Sequence, residues 1–212
     1  MILTMRIDHL SPSPDRAGRF LLRFDDGATM RLYRQTIQDF GLYAGKELTE
    51  DEFSQLQTAA GQMSAKMRAV RIVSASSVSK RDLERRLVQK GEDPEQAKAA
   101  VVWMENLDLL DDRKTAEQIV ARCIHKGYGL ARAKQALYEK QIPKSLWEDV
   151  LANYPEQADY IREYLCANLV DPSDRKQVKK VIDALIRRGH SFGAIRRQMD
   201  DLSIETQSFP ED

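Results

Sequence analysis

The chain has 212 residues, 42% of them hydrophobic and 31% charged, which is room for one ordinary domain, or for a small domain plus a helical array, with real cores. Its 33 basic residues are matched by 33 acidic ones, so net charge gives no ground for bulk attraction to nucleic acid. No apolar run approaches the ~18 residues of a membrane span.

Met1-Ile2-Leu3-Thr4 lacks the basic start and long apolar stretch of a secretory signal, so a cytoplasmic protein is expected. The charge is unevenly spread. Residues 1–60 hold 7 basic and 9 acidic side chains, residues 61–154 hold 17 and 13, and residues 155–212 hold 9 and 11. The middle is mildly basic and both ends mildly acidic. Cys123 and Cys166 each fall in an apolar helical pattern, so both read as buried thiols, with a disulfide or redox role as the alternative.

Residues 3–33 read as strands. Leu3-Met5-Ile7 alternates, Ser11-Pro12-Ser13-Pro14 marks a loop, and Phe20–Phe24 and Thr29–Tyr33 flank Asp25-Asp26-Gly27, a hairpin signal. Three strands alone are marginal and need a cover, which the following segment can supply. A short helix over 35–42 ends at Gly41. Thr49-Glu50-Asp51-Glu52 is a capping box opening a helix through about Ala60, and Gly61 predicts a boundary there.

From Gln62 onward the chain reads as about nine helices with short turns, each carrying one apolar stripe. Met63, Met67, Val70 and Val73 form the first. Ser79 caps the next helix, which buries Leu83 and Leu87 and ends at Gly91. Asp93-Pro94 opens a third with Ala97, Ala100, Val101 and Met104. Asp111-Asp112 opens a fourth with Ala116, Ile119, Val120 and Cys123, broken by Gly127-Tyr128-Gly129. Leu130, Ala133 and Leu137 stripe the fifth. The sixth begins near Pro143 with Leu146, Val150 and Leu151, and the seventh near Pro155 with Ala158, Ile161 and Leu165. Val178, Val181, Ile182 and Leu185 mark the eighth. The ninth, opened by Ser191, carries Phe192, Ile195, Met199 and Leu202. The tail, 205–212, has no periodicity and is expected to fray.

Parts of this pattern recur. Leu87-Val88-Gln89-Lys90-Gly91 returns 50 positions later as Leu137-Tyr138-Glu139-Lys140-Gln141, and Met199-Asp200-Asp201-Leu202 follows after a further 62. Asp112-Arg113-Lys114 matches Asp174-Arg175-Lys176 at the same offset of 62. Such recurrence means copies of one supersecondary unit. The expected organisation is a mainly α protein: a β-containing extension over 1–60, tandem three-helix units over 62–110, 111–154 and 155–205 in an elongated array, and a tail over 206–212. Arrays of this kind present surface to a large partner, which points to binding before catalysis.

No glycine-rich loop ends in Lys-Ser or Lys-Thr, and His9, His125 and His190 lack ligand spacing to the cysteines. Asp111-Asp112 reads as a cap, with metal binding as the alternative. No catalytic residue, cofactor site or metal site is assigned. Basic residues remain. Lys80, Arg81, Arg85, Arg86 and Lys90 crowd the second helix; Lys126, Arg132, Lys134 and Lys140 flank the fifth; Arg187, Arg188, Arg196 and Arg197 flank the ninth. Stacked units could line them into a strip that attracts phosphate or an acidic protein surface. The alternative is a solvated face with pairs such as Arg196–Asp200 and Arg197–Asp201.

In order, Ser79-x-x-Asp82-Leu83-x-x-x-Leu87-x-x-Lys90-Gly91, Leu107-x-x-Leu110-Asp111-Asp112, Lys126-Gly127-Tyr128-Gly129, Leu137-x-x-Lys140-Gln141-Ile142 and Leu185-x-x-Arg188-Gly189-His190-Ser191 resemble the bacterial regulatory protein family RecX, over roughly residues 62–202. The ordered series carries the resemblance rather than any single motif. It implies tandem three-helix units and a non-enzymatic protein that binds the RecA recombinase filament on single-stranded DNA and inhibits its ATPase, strand exchange and coprotease activities in recombination, repair and the SOS response. Possible weak direct DNA contact belongs to the same expectation, and a helical module acting on DNA alone is the alternative. No membrane partner is implied. The sequence departs from the family pattern at Asp108-Leu109-Leu110, where the family usually has Gly-(Tyr or Phe) before its acidic pair, and at Gln141, where it usually has Gly.

Overall fold

The computed structural model describes residues 4–15 and 18–202. Leu3 of the first alternation and the tail over 205–212 lie outside them. The chain is mainly helical, with a small antiparallel sheet at its N-terminal end. It divides into two compact units, 1–110 and 111–212.

In the first unit, β1 (Thr4–Pro12), β2 (Arg19–Phe24), β3 (Thr29–Tyr33) and β4 (Glu47–Thr49) form a sheet in the order β3-β2-β1-β4. Neighbouring strands are antiparallel, with Leu10 opposite Leu22 and Met5 opposite Leu48. The Asp25-Asp26-Gly27 turn closes with the Phe24 N–H donating to the Ala28 carbonyl at 2.9 Å. Two sequence expectations change here. β1 continues to Pro12 through the supposed loop, and β4 is an added strand too short to show an alternation of its own.

Helix α1 (Arg34–Asp39) is followed by α2 (Glu50–Ala75), opened by the Thr49–Glu52 capping box. The expected end at Ala60 is not there: α2 runs 26 residues without a break, roughly 39 Å at 1.5 Å per residue. Its first half covers the sheet. Leu56 is buried with Ile7, Leu22, Phe24, Leu32 and Leu48, and the Phe53 ring meets Phe24 edge-on at 5.3 Å between centroids. Its second half belongs to another core, where Ala65 and Ala69 pack with α3 (Lys80–Gln89) and α4 (Pro94–Asn106). Gly61 is a point of close approach rather than a stop: a Cβ there would come within 2.2 Å of the Gln96 side chain. The expected stripe of Met63, Met67, Val70 and Val73 is only half-buried. The two alanines take the centre because small residues let the helices approach.

Caps set the later helix starts. Ser79 accepts from the Asp82 N–H, Asp93 from the Glu95 and Gln96 N–H groups, and Asp111 from those of Arg113 and Lys114. In the second unit, α5 (Asp112–His125), α6 (Leu130–Glu139) and α7 (Trp147–Leu151), the last preceded by a 3₁₀ turn over Lys144–Leu146, close over Ala116, Val120, Cys123, Ala133, Leu137 and Ile142. Helices α8 (Ala158–Asn168), α9 (Arg175–Arg187) and α10 (Phe192–Asp201) close over Ile161, Leu165, Val178, Ile182, Leu185, Ile195 and Met199.

Some expectations in this unit fail. Leu130 is 41% exposed and Phe192 36%, since each stands at a helix start beyond the packed face. Helix α8 begins at Ala158, after Gln157 turns the chain with φ 61°. Cys123 is buried, but Cys166 is exposed: α8 buries Ile161 and Leu165, and the next residue points about 100° away.

Candidate nucleic-acid and protein interface

The two halves of the second unit meet backbone to backbone. The Gly129 N–H donates to the Arg188 carbonyl at 3.0 Å and the Ala131 N–H to the Gly189 carbonyl at 3.2 Å. Gln157 Nε2 donates to the Ile124 carbonyl at 3.1 Å, and the Tyr154 hydroxyl to the Tyr128 carbonyl at 2.6 Å. Burial, with a smaller contribution from Cys123, pushes the Tyr154 phenol up to about 12. The Tyr160 ring lies against Gly127 and stacks on His190 at 5.7 Å. Gly127, Gly129 and Gly189, some 60 positions apart in sequence, are therefore parts of one joint.

That joint engages one predicted contact residue. Arg188 is half-buried. Its Nε donates to the Tyr160 hydroxyl at 3.0 Å, Nη1 to the Tyr164 hydroxyl at 3.4 Å, and its guanidinium stands 4.6 Å from the centre of the Tyr164 ring. These contacts hold its side chain against α8. Arg197 is exposed and does not make the pair with Asp201 that the alternative reading offered; it makes a bidentate bridge to Glu156 at 2.8 and 2.9 Å, while Asp201 meets Arg162 at 3.7 Å. Arg132 bridges to Glu139 at 3.1 Å. A hydrogen bond from Gln135, helped by that bridge, lowers the Glu139 carboxyl from its ordinary value. Lys126, Lys134, Arg187 and Arg196 are exposed, and Lys140 is half-buried at the end of α6. On α3 of the first unit, Arg81, Arg85 and Lys90 are exposed, and both Arg85 and Arg86 reach the buried carboxylate of Asp82, at 2.5 and 2.8 Å. Lys80 bridges to Glu105. Asp111 caps α5, and the backbone N–H groups it accepts from hold its carboxyl below the usual range.

A second basic feature escaped the sequence pattern. In the first unit, Arg19 of β2, Arg68 and Arg71 of α2, Arg86 of α3 and Lys90 at its C-cap line one cleft of about 370 Å³. Arg68 pairs with buried Glu92 at 2.6 Å and Arg19 with Asp15 at 2.7 Å, while Arg71 donates to the Tyr33 hydroxyl at 2.6 Å. The available signal was the spacing: Arg68 and Arg71 at i, i+3 and Arg86 and Lys90 at i, i+4 each put two cations on one helix face. Among the described residues, no group of three or more His, Cys, Asp or Glu is placed to hold a metal, and no helix is long and apolar enough to cross a membrane.

The second three-helix domain of RecX matches residues 111–151. Regulatory protein RecX of Clostridioides difficile is 22% identical over 208 residues, covering 95% of this chain and 96% of its own. That coverage has to include most of the first 60 residues. The Streptococcus sanguinis protein is 25% identical over 88% of this chain and 74% of its own, and the Vibrio parahaemolyticus protein 26% identical over 63% and 88%. A crystal structure of regulatory protein RecX superposes with a TM-score of 0.63 at 21% identity, over 92% of this chain and 99% of that one, and RecX from Lactobacillus salivarius with 0.57 at 19%, over 69% and 99%. The superpositions speak for a shared fold, and the matches along the sequence for shared descent. Along most of its length the chain is similar to RecX regulatory proteins, and residues 111–151 match the second three-helix domain of that family.

Proposed function

We propose that this protein restrains a RecA-type recombinase in the cytoplasm by docking along its filament on single-stranded DNA, lowering ATPase, strand exchange and coprotease activity without turning over a substrate itself. The observation that carries this reading is the match to RecX along almost the whole chain, N-terminal sheet included. Helical units bearing exposed cations such as Lys134, Arg187 and Arg196 suit a long, negatively charged partner. The test is co-sedimentation with RecA in the presence and absence of single-stranded DNA, alongside the DNA-dependent ATPase. Binding that requires the filament, with a falling ATPase rate, is the expected result. An ATPase unaffected at saturating protein would overturn it. The runner-up reading, direct DNA binding, is favoured by the basic cleft of the first unit.

A further inference from the structure

We infer that the cleft of the first unit grips the phosphodiester backbone of a single-stranded nucleic acid. The inference rests on the runner-up reading, direct DNA binding, which it narrows to one cleft and one partner; it is separate from the filament reading, because it concerns binding with no recombinase present.

Five cations line the cleft and no carboxylate does. Three of them pair with carboxylates, and two of those acids sit behind, while Asp15 is as open as its partner Arg19, at 27% against 25% exposed. Glu92 is 6% exposed against 34% for its partner Arg68, and Asp82 is 1% exposed against 31% for Arg86. Glu92 and Asp82 therefore each orient a guanidinium from the rear, and Arg68 Nη1 also donates to the Lys90 carbonyl at 3.1 Å. Arg71 and Lys90 have no carboxylate partner among the described residues; Arg71 is held by the Tyr33 hydroxyl instead. The arrangement is pre-organised and carries an uncompensated positive charge, which is what an anion site needs.

Phosphate fits these donors better than a lone carboxylate does. Four of the five cations are arginines, whose planar fork matches phosphate oxygens two at a time. They come from a strand and two helices, so they converge from several sides. The donors are side chains on helix faces rather than backbone N–H groups of a glycine-rich loop, the usual cradle of a nucleoside triphosphate. Arg86 and Lys90 are one helical turn apart, about 6 Å of rise, so they offer successive contacts to a backbone passing along α3. A groove of cations that tracks a strand is the common device for binding it without reading its sequence.

The experiment is fluorescence anisotropy of a labelled thymidine oligonucleotide with the full-length chain, titrated at several salt concentrations. The variant combines Arg71→Glu and Lys90→Glu, two exposed side chains in no ion pair. The inference expects at least a tenfold loss of affinity and a log K against log salt slope shallower by about 1.4, from two lost contacts at ~0.7 each. Unlabelled pyrophosphate should compete no better than sodium chloride of equal ionic strength. Unchanged affinity and slope, with melting unchanged, overturns the inference. Efficient competition by pyrophosphate also overturns it, giving the cleft to a small phosphate. So does loss of polyglutamate binding in the variant with oligonucleotide binding intact, which gives it to an acidic protein. If the double variant melts early, Lys90→Gln alone decides, and a wild-type slope there sinks the idea.

Discussion

Gly129 and Gly189 touch through their backbones: a Cβ on Gly129 would stand 2.1 Å from the Gly189 carbonyl oxygen. Gly129 has φ −76°, a value any residue adopts, so its identity answers to space alone. Gly129→Ala has to push apart the two three-helix halves of the second unit and lengthen the Gly129–Arg188 and Ala131–Gly189 hydrogen bonds. The expected loss is about 1–3 kcal/mol, and thermal melting should show it as a clear drop in Tm. An alanine variant that melts like wild type would mean the joint yields without cost.

Arg188 lies beside that contact and contributes through packing. Arg188→Ala removes a guanidinium stacked on Tyr164 and bonded to two phenols, for an expected loss of roughly 1–2 kcal/mol. Arg188→Lys keeps the charge but not the fork, and should fall in between. Arg196→Ala, on the wet face of α10, should melt within about 0.5 kcal/mol of wild type. Chemical denaturation of the three proteins checks the order. Equal stability of the Arg188 and Arg196 variants would return Arg188 to the set of free surface charges.

What was legible in the sequence is what is local. Thr49, Ser79, Asp93, Asp111 and Ser191 announce helix starts because a capping side chain bonds within three residues of itself. Gly61 misled because a helix interior glycine and a helix stop look alike until Gln96, 35 positions on, supplies the reason for it. The i, i+4 rule gave Arg197 the wrong partner, since Glu156 is 41 positions away. The basic cleft was missed for a similar reason: Arg19, Arg68 and Arg86 become neighbours only when a strand and two helices pack.

The two departures from the family pattern keep the backbone that glycine would favour. Asp108 has φ 56° and Gln141 φ 55°, both in the left-handed region. That region costs an ordinary L-residue about 1–2 kcal/mol, partly offset because glycine loses more chain entropy on folding. Gln141→Gly should therefore stabilise by roughly 0.5–1 kcal/mol. Asp108→Gly should gain less, since aspartate tolerates the left-handed region better. Urea midpoints would show the ranking, and a destabilised Gln141→Gly variant would contradict it.

Removing residues 1–60 should damage the first three-helix segment, contrary to what a boundary at Gly61 implied. The cut falls inside α2, discards its Thr49–Glu52 capping box, and leaves four orphan N–H groups at a bare helix start. Hydrogen exchange on the truncated chain should show α3 and α4 losing protection, while the cores of α5–α10, in the other unit, keep theirs. Wild-type protection of Leu83 and Leu87 would show that Ala65 and Ala69 suffice to hold the bundle.

His190 should make stability depend on pH. Only 5% of it is exposed, and its ring is stacked on Tyr160. No hydrogen-bond partner with good geometry meets either ring nitrogen. Burial is the main cause holding its pKa below the ordinary 6.5; the Arg188 charge adds to the lowering, and the Gly127 backbone opposes it. The folded state thus resists the proton more than the unfolded chain does. Above the unfolded value both states are neutral at this site, and its contribution is fully present. As the pH falls through about 6.5 the unfolded chain takes up a proton first, and stability is lost until the folded pKa is passed. Urea midpoints from about pH 7.5 down to 5.5 should therefore fall in wild type. His190→Gln, which cannot charge, should flatten that fall whatever its absolute stability. His125→Gln, at the exposed end of α5, should leave the fall in place. A pH dependence identical in wild type and His190→Gln would show that other groups set it.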